Sequence, residues 1–155
     1  MSGTITTAFP TSAKAELAQA LHNYTATTGN DFRMALALSV VTGTYGAATT
    51  NYTNLTGSSD EVASGGGYTT GGYDFTAANN ITPAVSGTTA FWSWGVNPSW
   101  TSATFSTSGC LIYNNTNGTR AVYVGSFGGT QTVTAGTFTV LLPTNNSTNA
   151  ILRLQ

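Results

Sequence analysis

Charge is what this chain has least of. Its 155 residues include four basic and five acidic side chains, 6% in all, for a net charge of −1, where about 25% is usual for a globular domain. Neutralising a phosphate backbone takes a cluster of Lys and Arg. Here Lys14, Arg33, Arg120 and Arg153 are scattered, so direct nucleic-acid binding is not expected. The same scatter gives no attraction to an anionic membrane surface. No apolar run approaches the roughly 18 residues of a spanning helix, so no membrane partner is expected. The N-terminus has neither a basic start nor an apolar stretch of about 7–15 residues, so it does not read as a secretory signal. One cysteine, Cys110, cannot close an internal disulfide, which suits cytoplasmic synthesis. Without a secretory route, Asn-x-Ser/Thr triplets such as Asn51-Tyr-Thr and Asn117-Gly-Thr are not read as glycan sites. A single His with a single Cys excludes a structural zinc site, and no run of alternating acids makes a calcium loop. The Gly-rich stretches lack the Lys and the strand–loop–helix setting of a phosphate cradle. No metal and no cofactor is therefore expected.

What fills the chain instead is Thr (31 residues), Gly (18) and abundant Asn and Ser, with 40% hydrophobic residues. Disorder pairs high charge with few aromatics. Three Trp, seven Tyr and seven Phe with many β-branched residues point to an ordered β-protein of one domain. Near-zero net charge on so uncharged a surface removes the usual protection against self-association. That suits a protein packed into a large assembly.

Residues 1–10 read as an extended arm ending at Phe9-Pro10, and residues 11–155 as a single domain. Residues 12–24 are the one convincing helix: Thr11 or Ser12 as cap, Glu16 in the first turn, and Leu17, Leu21 and Tyr24 on one face. From Phe32 the period becomes two. Phe32, Met34, Leu36, Leu38 and Val40 face one side and Arg33, Ala35, Ala37 and Ser39 the other, a half-buried strand. A short strand near residues 48–55, then a mobile Gly/Ser loop through residues 64–67, follow. Residues 68–76 resume strand character, with Gly71-Gly72 as a bulge or a close backbone approach. Residues 89–96 alternate, placing Ala90, Trp92, Trp94 and Val96 on one face. Further strands read at residues 101–106, 110–113, 120–127, 131–134, 137–142 and 150–154, with a hairpin turn at Asn117-Gly118. Eight to ten short strands plus one helix make an all-β chain, an antiparallel β-sandwich of jelly-roll type.

Chemistry is sparse along this scaffold. His22, the lone histidine, reads as a surface or helix-terminal residue. A glycosidase needs two facing carboxylates. Asp74 with Asp60 or Glu61 is the pairing considered, but adjacent acids in a Gly/Ser loop read as solvated turn residues, so no catalytic residue is assigned. Cys110 opens an apolar strand with no basic neighbour and reads as a small core residue. The run FWSWGVNPSW leaves two alternatives for Trp92, Trp94 and Trp100: core or subunit interface, or a platform that stacks sugars. Trp100, beside Pro98, is the one expected to be most exposed.

Three blocks carry a resemblance: KAELAQALHNY…TGNDFRMALALS, then GYTTGGYDFT, then SGCLIYNNTNGTRAVYVGSFGGTQTVTAGTFTVLLPT…NAILRL. Together they resemble small virion structural proteins of tailed bacteriophages. Members of that family often carry an acid where Ser126 stands, and this chain does not. The resemblance implies a non-enzymatic virion protein made in the host cytoplasm. We expect a capsid decoration (cement) protein on the outer capsid surface, with the major capsid protein and itself, as homodimer or homotrimer, for partners. Thr4, Ile5, Phe9 and Pro10 of the arm are the candidate capsid contacts, the arm being ordered on a neighbouring subunit. Tail or fibre placement and a carbohydrate-binding module are the alternatives.

Overall fold

A computed structural model describes residues 2–75 and 81–155. Among them the chain is built mostly of strands in antiparallel sheets, with two short helices: β1 (Thr4–Ile5), α1 (Thr11–Ala18), β2 (Phe32–Leu38), β3 (Thr44–Tyr45), α2 (Thr53–Gly57), β4 (Tyr73–Asp74), β5 (Ala84–Ser86), β6 (Thr89–Trp92), β7 (Ser99–Asn114), β8 (Arg120–Thr139) and β9 (Leu152–Leu154). The central sheet runs β4-β2-β7-β8. A three-stranded sheet runs β5-β6-β9, and β1 pairs with β3 in parallel.

The period-two pattern of β2 is there, but both of its faces are buried. Phe32, Met34 and Leu36 enter a core with Cys110, Ile112, Trp92, Trp94 and Leu152. Ala35 and Ala37 enter a second core with Leu111, Tyr113, Val124, Tyr45 and Leu55. The central sheet is therefore covered on both sides, and burying each of Phe32, Met34 and Leu36 stabilises by about 1.5–3 kcal/mol. Val40 lies past the strand's end and is 66% exposed.

The helix is shorter than the apolar spacing predicts. Pro10 stands at the N-cap, and no side chain caps the helix. It ends because Ala20 takes a left-handed conformation (φ 55°), with Ala20 N–H on Leu17 O and Leu21 N–H on Glu16 O. This is the Schellman closure, with Ala where Gly is usual. Residues 48–55, expected as a strand, instead hold one bridge at Asn51 and the start of α2. Asn51 Oδ1 accepts the Thr53 N–H at 2.9 Å, a local bond that competes with strand pairing. Of residues 68–76, only Tyr73–Asp74 is a strand, and Thr76 lies outside the described residues. Gly72 is a close approach: at φ 79° a Cβ there would stand 1.9 Å from Met34 O.

The expected short strands between residues 101 and 139 fuse into one long hairpin turning at residues 115–119, while the expected strand at 150–154 is β9 in the three-stranded sheet. Its ladder is interrupted by register shifts, including those between Thr107 and Gly109 and between Ala103 and Phe105. Extra residues on β8, at 127–130 and 134–135, are what the sequence shows as breaks at Gly128-Gly129 and Ala135-Gly136. Bulges absorb them without ending the strand.

Residues 2–10 correct another expectation. The segment is not held out for a neighbour. Thr4 and Ile5 pair with Thr44 and Tyr45, Ala8 bridges Val124 and Ile5 packs against the second core. Backbone N–H and C=O groups need partners, and the open sides of β3 and β8 supply them within the same chain.

Candidate functional site

The acids expected in a solvated loop, Asp60 and Glu61, are buried. Residues 60–62 run beside β2: Leu38 N–H donates to Asp60 O at 2.7 Å, and Val62 N–H to Leu36 O at 2.9 Å. This puts Asp60 at 1% and Glu61 at 9% exposure. Asp60 accepts the backbone N–H of Thr42 (2.9 Å) and of Gly43 (2.7 Å) and the hydroxyl of Tyr45 (2.6 Å). Burial alone would raise its pKa, but these donors outweigh burial and hold the carboxyl below its ordinary value. Burial and the Asp60 carboxylate push Tyr45 up to about 12. Glu61 accepts the hydroxyls of Tyr52 (2.5 Å) and Tyr68 (2.8 Å) and the N–H of Gly71 (2.7 Å). Tyr52 stacks on Tyr113 with ring centres 4.3 Å apart, and Tyr113 donates to Gly71 O. Asp74 instead bonds Arg33 at 3.3 Å, and Arg33 also holds Asp31 at 3.2 Å. The two oxygens of Glu61 and those of Asp60 are thus engaged by the fold's own donors. The facing carboxylate pair of a glycosidase is not assembled from Asp74 with either acid.

His22 corrects a further expectation: it is buried, at 7% exposure. Asn114, the last residue of β7, directs its amide nitrogen at His22 Nδ1 (3.0 Å), Asn30 Oδ1 (2.8 Å) and Leu21 O (3.2 Å), while its Oδ1 accepts the Asn117 N–H. With Nδ1 facing a donor, the ring proton sits on Nε2 and donates to Glu16 Oε2 at 2.8 Å. Glu16 Oε1 accepts from Arg120 at 2.8 Å. Burial lowers the His22 pKa, against the opposing pull of Glu16 and with a smaller contribution from Arg120. The early end of α1 is what delivers His22 and the Leu21 carbonyl to the hairpin turn. This network joins the helix to β7 and β8 and exposes no reactive atom.

The tryptophans are buried: Trp92 6%, Trp94 3% and Trp100 8% exposed. Trp94 stacks on Phe75 at 5.2 Å, and Tyr24 lies between Phe32 and Trp92. Trp100 is not the exposed one. It opens β7 opposite Phe138 and packs among Tyr68, Tyr73 and Phe105. A sugar platform needs an open aromatic face, and none of the three offers one. Cys110 is enclosed in the core, where burial pushes its thiol up to about 12. Of the arm residues, Thr4 is exposed, Ile5 and Phe9 are half-buried and Pro10 is buried. Phe9 meets Trp92 edge-on at 6.3 Å, with Lys14 Nζ 5.7 Å from its ring centre. Among the described residues no group of three His, Cys, Asp or Glu could hold a metal, and no helix is long and apolar enough to cross a membrane.

Where the fold offers something outward is the far half of the hairpin. Asn51 and Ala8 bridge the outer side of β8 at Arg120 and Val124, and Ser126 N–H reaches Thr7 Oγ1. Past that point no described residue pairs with β8 on this side. A groove of about 320 Å³ runs beside this bare edge, lined by Phe127, Gln131, Phe138, Thr139, Val140 and Leu141. Leu141 is 77% exposed at its rim. Sequence reading placed the strand here but not its open edge, because openness depends on where residues 4–8 and 51 run out of reach. Compared with known protein families, curated proteins and solved structures, the chain matches none.

Proposed function

We propose that this chain is a non-enzymatic structural protein of a tailed-phage virion, a decoration protein that binds the outside of the capsid and stabilises it. One observation carries the structural part of this reading. Glu16, Asp60 and Glu61 are held by the fold's own hydroxyls, amides, His22 and Arg120, so the acid–base groups of the core serve architecture. The surface left over is rich in Thr, Ser and Asn, which forms hydrogen-bonded contacts without desolvating ions. The virion placement rests on the sequence resemblance. As part of the same proposal, the central sheet and the three-stranded sheet form two layers of a β-sandwich. A jelly-roll winding of these strands belongs to the same proposal.

The test is reconstitution. Shells of the major capsid protein lacking this chain are mixed with it, pelleted and imaged. Saturable binding at fixed outer positions and a raised shell melting temperature are expected. A bare shell, or density on the tail alone, contradicts the capsid role.

A further inference from the structure

We propose that the contact between His22 and Asn114 is an acid-opened latch. It holds residues 12–28, α1 and the loop after it, on the strands at neutral pH, and lets this flap lift when His22 takes a second ring proton. The flap has few other ties. Among the described residues, the hydrogen bonds that fasten residues 12–28 to the strands and their turn all end at one hairpin tip. Asn114 and Asn117 donate to Leu21 O at 3.2 and 2.9 Å, Asn114 faces His22 Nδ1 at 3.0 Å, and Arg120 donates to Glu16 at 2.8 Å. Beyond these, Leu17 and Tyr24 hold the flap by apolar packing.

The geometry at the tip has no place for the second proton. On Nδ1 it would point at the Asn114 amide, so that two donors face each other at 3.0 Å. Turning the Asn114 amide over does not relieve this. Its oxygen accepts the Asn117 N–H at 3.1 Å, and its nitrogen donates to Asn30 Oδ1 at 2.8 Å as well as to Leu21 O. A turned amide would set its oxygen against two others. Asn30 is fixed in the same way, because its Oδ1 also accepts the Asn23 N–H at 2.8 Å. Turning the imidazole over takes Nε2 away from Glu16 Oε2. Neither the His22 side chain nor Asn114 has exposed surface, so the charged ring reaches a second acceptor by leaving.

The surrounding charges do not cancel this conflict. Glu16 of α1 favours the imidazolium, while Arg120 of β8 holds the same carboxylate and opposes it. Tyr24, 6.0 Å from the ring within the flap, stays neutral because burial raises its phenol, and β7 brings the uncharged Asn114. Burial outweighs the pull of Glu16, and the closed ring resists the proton. The seam is also incompletely satisfied. Ser12 Oγ on α1 and Arg120 Nε are buried with no hydrogen-bond partner among the described residues. Such groups destabilise the closed form and regain water when the flap lifts. Lifting uncovers Trp92, on which Tyr24 packs at 5.2 Å.

This inference concerns the chain alone and stands apart from the capsid reading. The test is amide hydrogen exchange of the purified protein at about pH 7.5 and 5.5, corrected for the intrinsic pH dependence of exchange. Histidine is the side chain that ordinarily titrates in that window. Residues 12–28 are expected to be less protected than residues 121–125 at both pH values. They should lose protection severalfold, up to about tenfold, at the lower one, because the open flap binds the proton at the ordinary 6.5 and the closed one resists it. His22→Gln keeps an acceptor for Asn114 and a donor for Glu16 without titrating, and should abolish that loss. Ring NMR of the wild type needs no variant, since His22 is the only histidine. The folded ring should be neutral, protonated on Nε2, with its midpoint below 6.5. Flap protection that ignores pH, equals that of residues 121–125 at both values, or falls as far in His22→Gln overturns the proposal. So does a ring midpoint at or above 6.5.

Discussion

The two halves of the β7–β8 hairpin are made of the same residues and live in different surroundings. The inner half, around residues 107–114 and 120–126, has β2 on one side and Ala8 and Asn51 on the other. Its turn is held by Asn114, Arg120, Glu16 and His22, and Asp31 and Asn115 add a second clasp at 2.7 Å. Among the described residues, the outer half has itself, the loop at Gly66 and an aromatic patch beneath it. Thr, Ser, Gly, Ala and Val occur in both. Coverage separates them, and the chain's few charges are gathered around the half that is covered. A protein with so little charge uses it to lock one end of a ribbon and leaves the other end bare.

The contrast breaks most severely at Asp60, which braces the segment beside β2. Asp60→Ala leaves the N–H groups of Thr42 and Gly43 and the Tyr45 hydroxyl unpaired and buried, and is expected to cost about 3–5 kcal/mol in urea unfolding. At the hairpin turn, Asn114→Ala removes the amide that ties Leu21, Asn30 and His22 together. A loss of about 2–3 kcal/mol is expected in the same measurement, with α1 becoming sensitive to proteolysis before the strands. A smaller effect follows from pH. His22 is held neutral, its folded pKa below the ordinary 6.5, so the unfolded chain binds the extra proton first. Stability is complete above about 6.5 and falls as pH drops below it. A His22→Gln variant, whose amide cannot titrate, should lose that slope in thermal midpoints taken between pH 7.5 and 5.5. The smallest effect belongs to the outer half: Thr132→Ala changes monomer stability by no more than about 0.5 kcal/mol. A large loss there would mean that the two halves are equally locked.

Much of this architecture was legible in the residues. The alternation from Phe32, the Asn117-Gly118 turn, the β-content of the last third and the buried Cys110 follow from period and turn chemistry. What was hidden depended on distant segments meeting. Asp60 and Glu61 look like loop acids until Tyr45, Tyr52 and Tyr68 bring hydroxyls to them, and no local pattern pairs a carboxylate with tyrosines 9 to 15 residues before it or 7 after it. His22 looked terminal because its spacing continues the helix, whereas Ala20 turns the chain inward. Trp100 sits beside Pro98 at a break, which reads as exposed, and only the folding of the hairpin over Tyr68 and Tyr73 buries it.

Amide hydrogen exchange along β8 tests the contrast most directly. Residues 121–125 should be protected to the level of global unfolding. Residues 131–139 should exchange faster. Equal protection of the two stretches would contradict the account.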